Sequence, residues 1–226
     1  MVESSRVPDH DLDQLIEPEL RAEIGDPLPV PFAAAVVYWP LLVVGALGSW
    51  YWTGSLSGPA YAPGRVLWDA LGGAVLALII TFSTIGLTRR LHALRELEGE
   101  FRRVLGKVRT SQIIGLAVLS GTGEELVFRG ILQVLFTDER FLGLGQWPGL
   151  LSTAFVFGAL HFLPHKVFWP WTLFALFVGL LTGWLFAWRG SLVAPIMLHI
   201  TLNAMNLQLI STGRRVGPPS SDEDPT

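Results

Sequence analysis

A charged stretch, Gly123–Gly130, reads GEELVFRG and lies between two apolar runs. Neither the run from 110 to 123 nor the run from 131 to 136 contains a charged residue. Ionisable side chains at membrane depth cost roughly 2.5–3.5 kcal/mol each on insertion scales, so they usually mark a functional site. The two glutamates and the arginine of this stretch are therefore the first candidate functional residues.

The composition is that of a membrane protein. Of the 226 residues, 50% are hydrophobic and 15% are charged, whereas soluble domains usually carry about 25% charged residues. A net charge of −3 is too small to favour a nucleic-acid partner. The absence of cysteine excludes disulfides, thiolate metal ligands and a cysteine nucleophile.

Long uncharged windows predict an all-α fold, a polytopic membrane helix bundle of about six transmembrane helices, because each span needs about 20 apolar residues. The six predicted segments are 31–52, 66–88, 110–136, 147–163, 167–188 and 191–210. The predicted organisation is a polar cytoplasmic N-terminal segment (1–30), two transmembrane helices with a basic loop (31–109), a four-helix core (110–211) and a disordered tail (212–226).

The basic loop predicts the orientation of the chain. It holds seven of the sixteen Lys and Arg residues, so the positive-inside rule makes it cytoplasmic and places both termini on the same side. Its apolar residues recur at helical intervals, which favours either an amphipathic helix on the inner leaflet or a solvated extension of the neighbouring spans. We interpret the compact chain as an integral protein of the bacterial inner membrane.

Helical geometry separates the three charged residues of the opening stretch. Glu125 and Arg129 are four residues apart and share a face, so they are predicted to form a structural ion pair. Glu124 is rotated by about 100° and points elsewhere, where a carboxylate could accept a proton from water. The alternative is a packing triad that fixes the helix register without catalysis.

Two later apolar segments each contribute a histidine, His161 and His199, and Asn203 follows His199 by one helical turn. Such polar residues often simply hold membrane helices together. A stripe of His and Asn can also supply a metal ligand or an oxyanion donor. The small residues beside the polar positions would let helices approach closely, as in ordinary membrane packing; they are Gly121, Gly123, Gly130, Gly158 and Ala159.

Three patterns in chain order, EExxxR from Glu124, FxxxH ending at His161 and HxxxN from His199, resemble the CPBP family. This family of intramembrane proteases includes the type II CAAX prenyl endopeptidases and bacteriocin-processing or self-immunity proteins. The resemblance covers roughly 110–209 and implies that this four-helix core is catalytic. It further implies that Glu124 activates water with the help of His161, and that His199 and Asn203 stabilise the oxyanion.

The resemblance leaves two mechanisms open, glutamate catalysis and metalloprotease chemistry. In the second, Glu124, His161 and His199 would hold one divalent metal, with zinc favoured by that donor set, and Glu125 could serve as the base instead. The leading interpretation is an endopeptidase whose partners are the lipid bilayer and a membrane-associated peptide or protein substrate. The alternatives are a non-catalytic binding or immunity protein and, ranked lower, a proton or ion transporter.

Overall fold

The computed structural model describes residues 30–105 and 108–213. All but the edges of the predicted N-terminal segment (1–30) and of the predicted tail (212–226) lie outside the described residues. Within the described ranges the regular structure is entirely helical. The predicted fold class, an all-α polytopic bundle, is confirmed.

Eight α-helices follow one another along the described chain. They are α1 (Val30–Thr53), α2 (Val66–Arg90), α3 (His92–Leu105), α4 (Thr110–Val127), α5 (Val134–Thr137), α6 (Gln146–Leu160), α7 (Trp169–Arg189) and α8 (Val193–Thr212). A π-helical turn, Phe128–Gln133, joins α4 to α5, and short 3-10 turns at Pro63–Arg65 and Lys166–Phe168 precede α2 and α7.

Four of the described helices, α1, α2, α7 and α8, are long and apolar enough to cross a membrane. The other two predicted spans, 110–136 and 147–163, do not form single helices of that length and apolarity. The predicted third segment is divided between α4 and the π-helical turn, and α6 has only 15 residues, fewer than the about 20 that a straight span needs. The two segments that fall short contain the paired glutamates and His161.

The helices pack so that α4 and α8 lie at the centre of the bundle. The most extensive contacts join α8 to α2, α1 to α4, α6 to α7 and α8 to α4. An apolar cluster between α2, α7 and α8 is built from Ala77, Ile80, Val178, Leu185, Leu198 and Leu202. Because α4 and α8 are covered on several sides, polar side chains on their facing surfaces are removed from lipid.

The basic loop contains α3, which packs against the bundle. Phe101 makes edge-to-face contacts with Phe168 and Trp171 at centroid distances of 5.5 and 5.2 Å. Arg102 Nε donates to the carbonyl of Ile210 at 3.0 Å, a carbonyl at the end of α8 that also accepts from the backbone N–H of Gly213 at 3.3 Å. These contacts tie the loop to the C-terminal end of α8; its place on the inner leaflet stays a prediction.

The π-helical turn interrupts the single helix predicted over 110–136. Arg129 Nη2 donates to the carbonyl of Gly179 at 2.7 Å, and Gln133 Nε2 donates to the carbonyl of Gly183 at 3.0 Å. Donors and acceptors are both spaced by four residues, so the turn is bonded twice to α7. Such π turns within α-helices are often found at functional sites.

Candidate active site

The paired glutamates lie at the end of α4, in the middle of the bundle. Glu124 is 6% exposed and Glu125 is fully buried. Glycines let the backbones meet here: a Cβ at Gly121 would lie 2.8 Å from the backbone nitrogen of Ile200 on α8. A Cβ at Gly123 would lie 3.2 Å from the backbone nitrogen of Leu42 on α1. The close approach brings side chains of α1 and α8 to the two carboxylates.

Glu125 belongs to a buried charge network with Arg129 and His199. Its Oε2 lies 3.2 Å from Arg129 Nε, and both side chains are fully buried. Its Oε1 lies 3.3 Å from Arg129 Nη1 and 2.8 Å from His199 Nδ1. The guanidinium also lies over the ring of Phe157, at 5.1 Å from the centroid. The contact with His199 was not predicted from the sequence.

Glu124 has a different environment, as its rotation on the helix predicts. Its Oε2 lies 3.7 Å from His199 Nε2 and 3.9 Å from His161 Nε2. These distances are too long for direct hydrogen bonds, and this buried oxygen has no hydrogen-bond partner among the described residues. Three polar atoms from α4, α8 and the end of α6 therefore converge on a space that a small polar group can bridge.

Both histidines are held through Nδ1, which fixes what Nε2 can do. His161 Nδ1 lies 2.7 Å from the carbonyl of Phe157, which can only accept, and His199 Nδ1 lies 2.8 Å from the Glu125 carboxylate. We assign the proton of each neutral ring to Nδ1 from these partners. The two Nε2 atoms that face Glu124 are then acceptors, so the group they surround must donate protons or carry positive charge.

The FxxxH pattern has a structural explanation in this region. The ring of Phe157 lies against that of His161 with centroids 4.4 Å apart. It contacts Phe128 edge-to-face at 4.8 Å. His161 is the C-cap residue of α6, and 21% of its side chain is exposed against 8% for Glu124. The end of α6 is therefore the more exposed side of the cluster.

Asn203 lies one turn beyond His199 on α8 but contacts a different partner. Its Nδ2 donates to Ser120 Oγ at 2.9 Å, and Ser120 precedes Glu124 by one turn of α4. The pairs Glu124–His199 and Ser120–Asn203 thus lie side by side across the α4–α8 contact. An amide NH₂ group has two protons to donate, and this hydrogen bond uses one of them.

Sequence analysis did not identify two residues at the site, Ser120 and Tyr38. Ser120 gives no signal by itself, since serine is common in packed membrane helices. Tyr38 on α1 hydrogen-bonds the side chain of Glu124, and it lies outside the three motifs. A hydroxyl within an otherwise apolar run of α1 was the available signal for Tyr38.

The predicted metal set can be compared with these positions. Glu124, His161 and His199 supply the donor types that zinc prefers, and the unpartnered Oε2 lies between the two Nε2 atoms. As the side chains stand, no group of three or more His, Asp or Glu residues in the described ranges is close enough to hold a metal ion. The metal therefore remains a prediction that the chemistry of the donors supports.

Comparisons with known proteins agree with this region of the chain. Residues 107–205 match the family model described as Type II CAAX prenyl endopeptidase Rce1-like. The uncharacterized protein YpbD of Bacillus subtilis (strain 168) is 26% identical over 144 residues, which cover 62% of this chain and 67% of that protein. No solved structure matches the chain.

The helical bundle and the family match define the class. The chain is an integral membrane protein, and its region 107–205 is similar to the type II CAAX prenyl endopeptidase Rce1-like family. The resemblance predicted from the three motifs is therefore confirmed, with nearly the bounds that the motifs gave it. The matched region contains the two glutamates, both histidines and Asn203, but neither α1 nor α2.

Proposed function

We propose that this protein is an intramembrane endopeptidase that hydrolyses a peptide bond of a membrane-associated peptide or protein. The observation that carries the proposal is the buried, unpartnered Oε2 of Glu124, which faces Nε2 of His161 and of His199 at 3.9 and 3.7 Å. A water molecule in this space can donate one proton to the carboxylate and the other to an imidazole. Its oxygen is then directed toward a substrate entering from outside the cluster.

In the proposed reaction Glu124 takes a proton from this water as the new C–O bond forms at the substrate carbonyl. His161 accepts the second hydrogen bond and orients the attacking oxygen. Collapse of the tetrahedral intermediate breaks the C–N bond, and Glu124 returns its proton to the leaving amine. General acid–base catalysis of this kind typically contributes about 10²–10⁴-fold to the rate.

The developing oxyanion requires hydrogen-bond donors near the carboxylate. Asn203 uses one amide proton on Ser120 Oγ, which leaves the other for the oxyanion. His199 would join as a donor when protonated, and its position between the carboxylates of Glu124 and Glu125 compensates that charge. Each preorganised donor of this kind is worth about 10²–10³-fold in rate.

Glu125 and Arg129 are assigned a positioning role. The Glu125 carboxylate fixes the ring of His199 through Nδ1, while Arg129 neutralises Glu125 and is itself bonded to α7. The ordered pair keeps His199 directed at Glu124 during the reaction. Both oxygens of Glu125 face Arg129 or His199, so Glu124 is the proposed base.

A metal-assisted form of the same reaction is the second candidate. With neutral histidines, two carboxylates face one guanidinium, so the buried cluster carries one negative charge in excess. That excess, together with the acceptor character of both Nε2 atoms, favours a divalent cation, with zinc suited to the donors Glu124, His161 and His199. When bound, such an ion would lower the pKa of water and polarise the substrate carbonyl.

The cellular setting is proposed on the charge pattern of the sequence. The protein would lie in the bacterial inner membrane with both termini in the cytoplasm. The end of α6, where His161 is partly exposed, would then face the cytoplasm. Cleavage is proposed at that interface, on a substrate that is itself held by the bilayer.

The test is a comparison of protein termini, by mass spectrometry, in membranes of the native cells with wild type or Glu124→Gln. The substitution keeps the shape of the side chain but removes the base. New termini that occur only with wild type, at equal levels of both proteins, are the expected result.

The alternatives predict different outcomes of the same comparison. A binding or immunity protein would leave the set of termini unchanged, and its protective effect would survive Glu124→Gln. A proton or ion transporter would also leave no cleaved product, but its activity would depend on a pH gradient or on membrane potential. Either result contradicts the endopeptidase.

A further inference from the structure

We infer that Tyr38 of α1 is a positioning residue for the catalytic base, and that the active site is incomplete without this helix. The inference deepens the proposed function and rests on it. It extends the site beyond the matched region, since α1 precedes residues 107–205 by more than one helix. Three observations support it, from hydrogen bonding, from helix packing and from the surrounding groove.

The first observation is the pattern of donors and acceptors around Glu124. Its carboxylate faces the Nε2 atoms of His161 and His199, which both act as acceptors when Nδ1 carries the proton. Acceptors cannot hold a carboxylate in place. The Tyr38 hydroxyl, which hydrogen-bonds the Glu124 side chain, is the donor that the carboxylate lacks in the rest of its described surroundings.

The second observation is that α1 is packed too closely on α4 for this contact to be incidental. A Cβ at Gly45 would lie 2.8 Å from Cβ of Leu126, and a Cβ at Gly123 would lie 3.2 Å from the backbone nitrogen of Leu42. Leu42 lies one turn beyond Tyr38, and Gly123 directly precedes Glu124. Backbone contact one turn away therefore fixes the distance of the tyrosine from the carboxylate.

The third observation is the groove in which the hydroxyl lies. Tyr38 lines a cavity of about 270 Å³ together with Ser120 and Asn203, and most of the other lining side chains are apolar. A hydrogen bond to an ionised group is stronger in such surroundings than in water. The same cavity is lined by Asn203, whose amide is proposed to bind the oxyanion, so Tyr38 and Asn203 face one space.

These contacts define what Tyr38 does. By holding one part of the carboxylate, the hydroxyl directs the unpartnered Oε2 toward the two Nε2 atoms, where the water is expected. Hydrogen bonds to charged groups are worth enough to change a rate by about 10- to 100-fold. The effect should appear in kcat, because Tyr38 acts through Glu124 and not by holding the substrate.

The experiment compares Tyr38→Phe with wild type in liposomes, using as substrate the peptide that the comparison of termini identifies. Tyr51→Phe is the matched control, since Tyr51 is on the same helix, is 71% exposed and contacts Trp52. We expect Tyr38→Phe to lower kcat about 10- to 100-fold with KM and the melting midpoint unchanged. Replacement of Tyr38 by 3-fluorotyrosine, which keeps the donor, should restore kcat.

Three results would overturn the inference. One is an unchanged kcat in Tyr38→Phe; another is a raised KM with unchanged kcat, which would indicate contact with the substrate. The third is a low kcat that 3-fluorotyrosine does not restore, which would make the effect one of packing. If wild type itself yields no new terminus, the proposed function fails; if wild type cleaves and Tyr38→Phe cleaves equally well, only the role of Tyr38 fails.

Discussion

The two sides of α4 place neighbouring carboxylates in opposite situations. On one side Glu125 is fully buried, with both oxygens within 3.3 Å of Arg129 nitrogens and one of them 2.8 Å from His199. On the other side Glu124 has an oxygen without a partner, and its nearest imidazole nitrogens are 3.7 and 3.9 Å away. Oε2 of Glu125 also lacks a hydrogen bond in the described residues, but it is ion-paired with Arg129 Nε at 3.2 Å. One carboxylate therefore faces a guanidinium, and the other faces only imidazoles at a distance that leaves space for something the protein binds.

This difference separates stability from chemistry within two adjacent residues. A buried charge without its partner is strongly destabilising, so the Glu125 side must remain intact for the bundle to hold its shape. On the Glu124 side a buried carboxylate oxygen has neither a hydrogen bond nor a guanidinium beside it among the described residues, which costs stability and is expected where a reaction takes place. Substitutions on the Glu124 side should therefore lower turnover, and substitutions on the Glu125 side should lower the melting midpoint.

A large effect on turnover is expected from His161 and His199, the two histidines that face Glu124. His161→Ala and His199→Ala should each lower hydrolysis about 10²–10⁴-fold while the protein still inserts in the membrane. His165→Ala, an exposed histidine four residues from His161, is the matched control and should retain full activity. Turnover assays in liposomes test this, and near-normal turnover in either site variant would contradict the proposed site.

On the Glu125 side, Arg129→Ala should destabilise the protein by about 3–5 kcal/mol, because it leaves a buried carboxylate unpaired. The guanidinium also donates to Gly179 at 2.7 Å, so the bond to α7 would be lost as well. Thermal unfolding in detergent measures the effect, with exposed Arg140→Ala as the control. Equal melting midpoints for Arg129→Ala and wild type would count against the network.

A smaller effect on stability should follow from separating α4 and α8, the helices that carry the paired glutamates and His199. A Cβ at Gly121 would lie 2.8 Å from the backbone nitrogen of Ile200, so Gly121→Ala should push α8 away from α4. We expect this overpacking to lower the free energy of unfolding by about 1–3 kcal/mol. Gly115→Ala on the same helix has open space at its Cβ and is the control. If both variants unfold at the wild-type midpoint, the close approach of α4 and α8 is wrong.

The smallest effect is expected at Ser120, which supports Asn203 and touches neither carboxylate. Ser120→Ala removes the acceptor for Asn203 Nδ2, and a neutral hydrogen bond is worth about 0.5–1.5 kcal/mol, or up to roughly tenfold in kcat. Asn203→Ala should lower kcat further, by about 10²–10³-fold. A Ser120→Ala variant slower than Asn203→Ala would contradict this order.

The sequence predicted the helices better than it predicted their connections. The predicted first, second, fifth and sixth segments fall within a few residues of α1, α2, α7 and α8, because uncharged runs and their charged ends are visible in the sequence. The π-helical turn was not predicted, since no local pattern marks it and its Arg129 and Gln133 side chains are bonded to carbonyls of α7. Those acceptors are 50 residues away in the chain.

The site shows the same limit. Spacing on one helix predicts that Glu124 and Glu125 point apart, and the positions in the structure agree. The contact between Glu125 and His199 joins residues 74 positions apart, and no pattern within either helix specifies it. Tyr38 is further removed, because only the packing of α1 on α4 brings it to Glu124.

The most direct measurement compares Glu124→Gln with Glu125→Gln in the same two assays, turnover in liposomes and thermal unfolding in detergent. Glu124→Gln should abolish turnover without lowering the melting midpoint, because the amide replaces an oxygen that has no partner. Glu125→Gln should lower the midpoint, because Arg129 loses its counter-charge. Retained turnover in Glu124→Gln, or a Glu125→Gln variant as stable as wild type, would contradict the division of α4 into a catalytic and a structural side.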